Sequence, residues 1–217
     1  MTEDMNAEIA RIQGYLLHFR DEVGKLIHIW ETYSYMSAHM DELNSVFSDR
    51  LSNNTLDIIM GSLVHQTWLI LMRMWDDNNS YNENLRISFI FNSLNKKKFR
   101  NQLSIFVNIE KGIVDDGFFR IKNIYYYYIE QSSPGYSIYS NIKNIRNIRL
   151  AHRDIKKSIE VSHSPSELNK FYEDTIEVTA GIFHAFGLVF SEREYKFWGS
   201  EGAKAFLDKI LRENDNV

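Results

Sequence analysis

Punctuation is what this chain lacks: two prolines and ten glycines are spread over 217 residues otherwise rich in helix formers. A β-fold of this length needs frequent tight turns, and those turns draw on Gly and Pro for backbone angles that other residues resist. The scarcity predicts an all-α fold, and a hydrophobic share of 44% supplies enough apolar surface for a core. We expect a single-domain helical bundle of about six to eight helices. Residues 1–50 form an N-terminal helical segment, 51–190 the core bundle and 191–217 a short C-terminal helix.

Apolar spacing places the elements. Ile9, Ile12, Leu16, Phe19, Val23, Leu26, Ile27 and Trp30 recur at intervals of three and four, which predicts one long amphipathic helix from about Met5 to Met36. A kinked piece follows through Leu43 to Leu51. Ser52-Asn53-Asn54-Thr55 reads as a capping cluster that starts a strongly apolar helix from Leu56 to Trp75, closed by the polar run Asp76 to Ser80. Helices are expected over Leu85–Leu94 and Lys97–Glu110, a turn at Asp115-Asp116-Gly117, and a helix from Phe118 to Glu130. Tyr125 to Tyr128 favours a strand by composition but has no partner strand, so it is kept helical. Ser132-Ser133-Pro134-Gly135 is a break, followed by a basic helix over Tyr136–Ile159. Ser164-Pro165-Ser166-Glu167 is a capping box with Pro at the first helical position, opening a helix to about Val189. A final short helix covers Glu201–Arg212.

Several function classes drop out. Without cysteine there are no disulfides and no thiolate zinc sites, which suits a reducing, cytoplasmic setting. Met1-Thr2-Glu3-Asp4 is acidic and lacks a signal-peptide core. The longest apolar stretch, Leu63 to Trp75, is interrupted by His65, Gln66 and Arg73 and is expected to be too short and polar for a membrane. No Gly-rich phosphate loop, nucleophile elbow or helical His-Glu-x-x-His is present. Glu160-x-x-His163 lacks the second copy that a di-iron bundle requires, and His18, His28 and His39 have no recurring acidic partner. No cofactor or metal is implied.

One segment is chemically loaded. Net charge is −4, yet Asn141 to Lys157 holds six basic residues against the single acid Asp154. At about 100° per residue, Ile145, Ile148, Ile155 and Ile159 share a buried stripe beside Ala151. Arg146, Arg149, Arg153 and Lys157 form a cationic stripe. His152 sits at the edge of the apolar one, roughly 120° round and about 9 Å along from Arg146. The two could therefore cooperate only across a groove or with the same pair from a second chain. A solvated basic face and a structural His152 are the plain alternatives.

Arg146-Asn147, four residues, then His152 resembles the Arg-polar-x-His motif of HEPN domains, helical bundles of prokaryotic defence and toxin proteins. The context Leu150-Ala151-His152-Arg153-Asp154 is similar to the AbiU-type (abortive infection) branch. So is the helix end at Trp68–Asp77, with Arg73 before Asp76 and Asp77, then a polar loop and a Leu/Ser-containing helix. The likeness in element order runs from about Leu56 to Phe190, the HEPN-like core. It implies a homodimer with facing motif helices and metal-independent endoribonuclease activity.

The residue types suit that chemistry. Attack of a ribose 2′-hydroxyl on its own phosphate needs a proton acceptor that titrates near neutrality, the role implied for His152. Charge building on phosphoryl oxygens needs a fixed planar cation, the role implied for Arg146, with Asn147 in polar support. Arg149 and Arg153 are read as RNA-backbone contacts from their stripe. Asp154, Arg73, Asp76 and Asp77 are candidate supports behind the motif pair, although the simpler reading of Arg73 with the two acids is an ion pair closing the helix. Lys96-Lys97-Lys98 with Arg100 is a solvated turn or an extension of an RNA path. RNA, a second copy of the chain and a cognate antitoxin protein are the expected partners. The rival function is a non-catalytic helical interaction module whose basic helix meets an acidic protein.

Overall fold

The computed structural model describes residues 2–76, 86–146 and 164–214. The described residues form nine α-helices and no strand: α1 (Thr2–Ala38), α2 (Met40–Val46), α3 (Arg50–Trp75), α4 (Ile87–Leu94), α5 (Lys97–Phe106), α6 (Lys111–Ile129), α7 (Pro134–Arg146), α8 (Pro165–Ala185) and α9 (Glu192–Asn214). Chain contacts divide into two compact units. One comprises Met1–Asp21 and Leu71–Phe190, the other Glu22–Ile70 and Ser191–Val217, so α1 and α3 each contribute to both. All eight apolar residues that define the expected stripe of α1 are buried.

The expected capping cluster at Ser52–Thr55 is corrected. Asp49 caps α3 instead: its Oδ1 accepts from the backbone N–H of Leu51 at 2.9 Å and of Ser52 at 3.1 Å. A carboxylate here satisfies orphan donors and complements the positive helix end, so the helix starts at Arg50 and the Ser-Asn-Asn-Thr run lies inside it. The full helix has 26 residues, and its most apolar 18-residue stretch has a mean hydropathy of 1.3, enough by length and composition to cross a membrane. From Thr67 onward, however, Thr67, Trp68, Ile70, Leu71, Met72, Met74 and Trp75 are buried within the protein. That end of α3 is protein core.

In the first unit the most extensive pairing is α6 with α8. The expected turn at Asp115-Asp116-Gly117 is a second correction, because these residues lie within α6. Gly117 serves close packing: a Cβ there would sit 2.5 Å from the backbone nitrogen of Ala185 on α8. Gly181 reciprocates from α8, where a Cβ would come within 2.3 Å of Ile121 Cγ2. Outside this crossing Arg120 grips Glu177 through two hydrogen bonds, one of them at 2.9 Å.

Two helices end earlier than expected, for one reason. Asn108 (φ 54°) and Gly187 (φ 69°) adopt left-handed backbone, and the next residues reach back: Ile109 N–H to Ser104 O at 3.0 Å and Leu188 N–H to Phe183 O at 2.9 Å. Both are helix-terminating reversals of the Schellman type. The capping box at α8 forms as the sequence spells it, with Glu167 N–H on Ser164 Oγ and Ser164 N–H on the Glu167 carboxylate.

In the second unit Met36, Leu43, Leu56 and Leu207 make the buried cluster, joining α1, α2, α3 and α9. Helix α9 begins at Glu192, nine residues before the expected start. Its N-terminal half carries exposed Phe197 and Trp198, and Gly199, whose Cβ would stand 3.0 Å from Glu31 Cβ, lets it lie against α1.

Gly117→Ala should destabilise the protein by about 1–3 kcal/mol in thermal or urea unfolding, because the clash is with backbone and outweighs the helix-propensity gain of about 1 kcal/mol. Gly61→Ala, where an added Cβ meets nothing within 4 Å, should instead be stabilising by up to about 1 kcal/mol. Equal behaviour of the two variants would contradict this account of the α6–α8 crossing.

Candidate functional site

Helix α7 is placed by its apolar face. In α7, Ile138, Ile142 and Ile145 are buried, and so is Tyr139 on the neighbouring edge of the same face. Tyr139 donates from its hydroxyl to the backbone carbonyl of Trp75, the last residue of α3, at 3.3 Å. The carbonyl after it, of Asp76, accepts from Ser88 Oγ at 3.2 Å. Two hydroxyls thus occupy carbonyls at the C-terminal end of α3, where intrahelical partners run out.

That end of α3 is itself anchored. The indole N–H of Trp75 donates to Thr175 Oγ1 on α8 at 2.9 Å, and Thr175 donates to Phe171 O at 2.6 Å. The Trp75 ring lies among Tyr125, Tyr128, Tyr139 and Phe171, with ring-centre separations of 5.3–6.5 Å. Tyr128 extends the network by donating to Asp174 Oδ2 at 2.6 Å, which Lys170 also approaches at 2.8 Å. Burial, then the acceptor Asp174, pushes the Tyr128 hydroxyl far up, so it remains a neutral donor. The tyrosine run is therefore core material at Tyr125 and Tyr128, as its helical placement implied.

Arg146 is the last described residue of α7. Asn147, Arg149, His152, Arg153 and Asp154 lie outside the described residues, as do Asp77 and the Glu160-x-x-His163 pair. The expected basic helix over Tyr136–Ile159 is thus described only as far as Arg146. Arg73 is exposed in the last turn of α3 and Asp76, half-buried, follows its end. Through the Tyr139–Trp75 bond the structure brings α7 and this end of α3 together. Among the described residues no cluster of three or more His, Asp or Glu is placed to hold a metal.

Tyr139, to which the sequence gave no role, and Lys143, counted there only among the six basic residues, belong to this region. Lys143 donates to the Tyr139 hydroxyl at 3.2 Å and stands 5.3 Å from the ring centre. The signal was the spacing Tyr139-x3-Lys143-x2-Arg146, a row at i, i+4 and i+7 on one helix face.

The second basic cluster divides. Arg100 is buried and is no part of an RNA path: it donates to Leu94 O at 2.7 Å and Asn95 O at 3.3 Å, closing the end of α4, and pairs with Asp115 at 2.6 Å. Its guanidinium also lies over the Phe118 ring at 4.3 Å. Lys96, Lys97 and Lys98 remain exposed, beside a cleft of about 390 Å³ that they line together with Asp4, Met5, Glu8 and Phe99. Two carboxylates in that cleft make it a mixed-charge surface rather than a purely cationic one.

An all-helical protein that fixes a cation-bearing helix against the end of an apolar core helix is the class the geometry defines. The chain belongs to the HEPN_AbiU2 family: the family model described as AbiU2 matches residues 9–198. It is thereby a member of the abortive-infection, AbiU, branch of the HEPN superfamily, and the segment Arg146–His152 lies within the matched span. Comparisons with curated proteins and with solved structures gave no match.

The Arg100–Asp115 pair yields a pH prediction. Burial alone would raise the Asp115 carboxyl, but the Arg100 hydrogen bond and charge, with Lys111 adding to them, hold it below its ordinary range. A lowered native value contributes stability that is present above about pH 4 and is lost as pH falls through the native value. Asp115→Ala should cost on the order of 1–3 kcal/mol at pH 7, since it leaves a buried guanidinium short of an acceptor. The gap to wild type should close in acid unfolding curves below about pH 4. A gap that stays constant with pH would contradict the ionic role.

Proposed function

We propose that this AbiU-family protein is a metal-independent endoribonuclease, or an RNA-binding effector, of a bacterial abortive-infection system. It acts in the cytoplasm as a homodimer in which Arg146 and His152 of two subunits form one composite site. The family match over residues 9–198, which encloses the Arg146-Asn147-x4-His152 spacing, is the observation that carries the reading. Support also comes from α7, whose described residues reach Arg146 and which is pinned to the core by Tyr139. Positioning a cation on a rigid element is what phosphate recognition requires.

In this reading His152 accepts the proton of a ribose 2′-hydroxyl as that oxygen attacks the adjacent phosphate. The 5′-oxygen of the next nucleotide leaves and takes up a proton, and a 2′,3′-cyclic phosphate end remains. Arg146 meets the charge that grows on the phosphoryl oxygens, where a guanidinium fork is worth more than a single ammonium. Asn147 orients either partner, and Arg149 and Arg153 hold the RNA backbone. A dimer supplies the geometry because, on one helix, residues six apart point about 120° away from each other. A cognate antitoxin protein would act by covering the site.

The test uses purified protein, single-stranded RNA and EDTA. Cleavage should persist in chelator and leave cyclic phosphate ends. It should fall by about 10²-fold or more in His152→Ala and Arg146→Ala, with thermal unfolding unchanged. Expression of the wild type should arrest growth, and the same substitutions should relieve it. Intact RNA together with growth arrest that survives both substitutions would instead favour the non-catalytic interaction module.

A further inference from the structure

We propose that the outward face of α9 is a self-association surface, on which two copies of the chain pair antiparallel through Trp198, with Glu194 of each copy beside Lys209 of the other. One side of α9 is spent on the protein's own core. Gly199, Ala203 and Leu207, at intervals of four, are buried, and Leu207 joins Met36, Leu43 and Leu56. At about 100° per residue, Glu194, Trp198, Gly202, Ala205 and Lys209 fall on the opposite side. All five are exposed. Trp198 stands there with 59% of its surface open, and Phe197 (55%) and Phe206 (51%) flank it on either side. The proposal does not rest on the nuclease reading, because none of these residues belongs to the Arg146–His152 segment.

Single exposed apolar residues are ordinary on a protein surface. What sets this face apart is its register. In a two-fold antiparallel pair every contact occurs twice, residue i on j and j on i. An axis passing between Glu201 and Gly202 sets Trp198 against Ala205 of the second copy, a large side chain over a small one. The same axis sets Glu194 against Lys209 of the second copy, at both ends of a contact about 22 Å long. One register therefore satisfies packing and charge together. A parallel pair would instead place like charges side by side. Gly202, at the axis, permits close approach. A Cβ there meets nothing within 4 Å, so packing among the described residues does not call for a glycine that costs the helix about 1 kcal/mol.

A lipid surface fits this face less well. Helices that lie on anionic membranes place Lys and Arg beside their aromatics, whereas here Glu194 and Glu201 are exposed on the face with Trp198. The three aromatics, each about half open, offer roughly 500–750 Å² of surface over two copies. That puts the contact at the small end of specific interfaces, with affinity in the micromolar range and association that depends on concentration.

The chain has no cysteine, so single-cysteine variants report the contact locally. Glu201→Cys, next to the axis, should form a disulfide between copies in mild oxidant. Lys204→Cys, also exposed but about 110° from the centre of the face, should not. In sedimentation velocity over about 1–100 µM protein the wild type should associate. Trp198→Ser should weaken association by about 30-fold. Glu194→Lys and Lys209→Glu should each weaken it by about tenfold, and the two together should restore it. Thermal unfolding of these variants at low concentration should match wild type, since the side chains face away from the core. Equal cross-linking at positions 201 and 204, a double charge variant no better than the singles, or a monomer at every concentration would overturn the proposal. Association that Trp198→Ser and the single charge variants leave unchanged would assign the dimer to another surface, rejecting this face and leaving the composite-site reading standing.

Discussion

A buried indole N–H has to be satisfied, and in this protein the way it is satisfied organises the site. Trp75 ends α3 in the aromatic heart of its unit, with its N–H on Thr175 of α8 and its ring among residues of α6, α7 and α8. An unpaired donor at such depth would cost about 1–3 kcal/mol, so the bond fixes which side of α8 the helix end meets. Once Trp75 is fixed, its carbonyl is fixed, and the hydroxyl of Tyr139 reads that carbonyl from α7. The row that ends in Arg146 inherits its position from a hydrogen bond made by a tryptophan on another helix.

Cation counts alone describe this protein poorly, because its cations do different work. Arg100 caps a helix and grips Asp115 from a buried position, while Arg120 clamps the α6–α8 crossing through Glu177. Lys170 lies beside Asp174 and above the Tyr127 ring. Each is held by an acid or by carbonyl oxygens, and each fastens one helix to another or braces a turn of its own. On α7, Lys143 also donates to the neutral hydroxyl of Tyr139, which is itself bonded to the end of α3. With a net charge of −4, the chain's overall field does not attract a polyanion.

The helices were legible where periodicity was long and caps were strong. The stripe of α1 and the Ser164–Glu167 box needed no tertiary information. The misreadings share a physical origin in residues that suit two local roles. Asp49 and Ser52 can each cap a helix, and the carboxylate took the cap. Asp-Asp-Gly suggests a turn, but Gly117 is needed for close approach to Ala185 and Asp115 for Arg100, neither of which adjacent sequence discloses. Spacing and context pointed to the family that the match over residues 9–198 shows, whereas the bond of Tyr139 to Trp75, across 64 positions of sequence, was not legible there. The placement of His152 lies outside the described residues.

The space proposed around one phosphate is observed directly in a structure of the protein with a 2′-O-methylated single-stranded RNA, which 2′-hydroxyl attack cannot cleave. It should show one phosphate within hydrogen-bond distance of an Arg146 guanidinium, with a His152 ring nitrogen beside the neighbouring 2′-oxygen. A His152 ring enclosed by aliphatic side chains in every subunit, with the RNA elsewhere or absent, would contradict it.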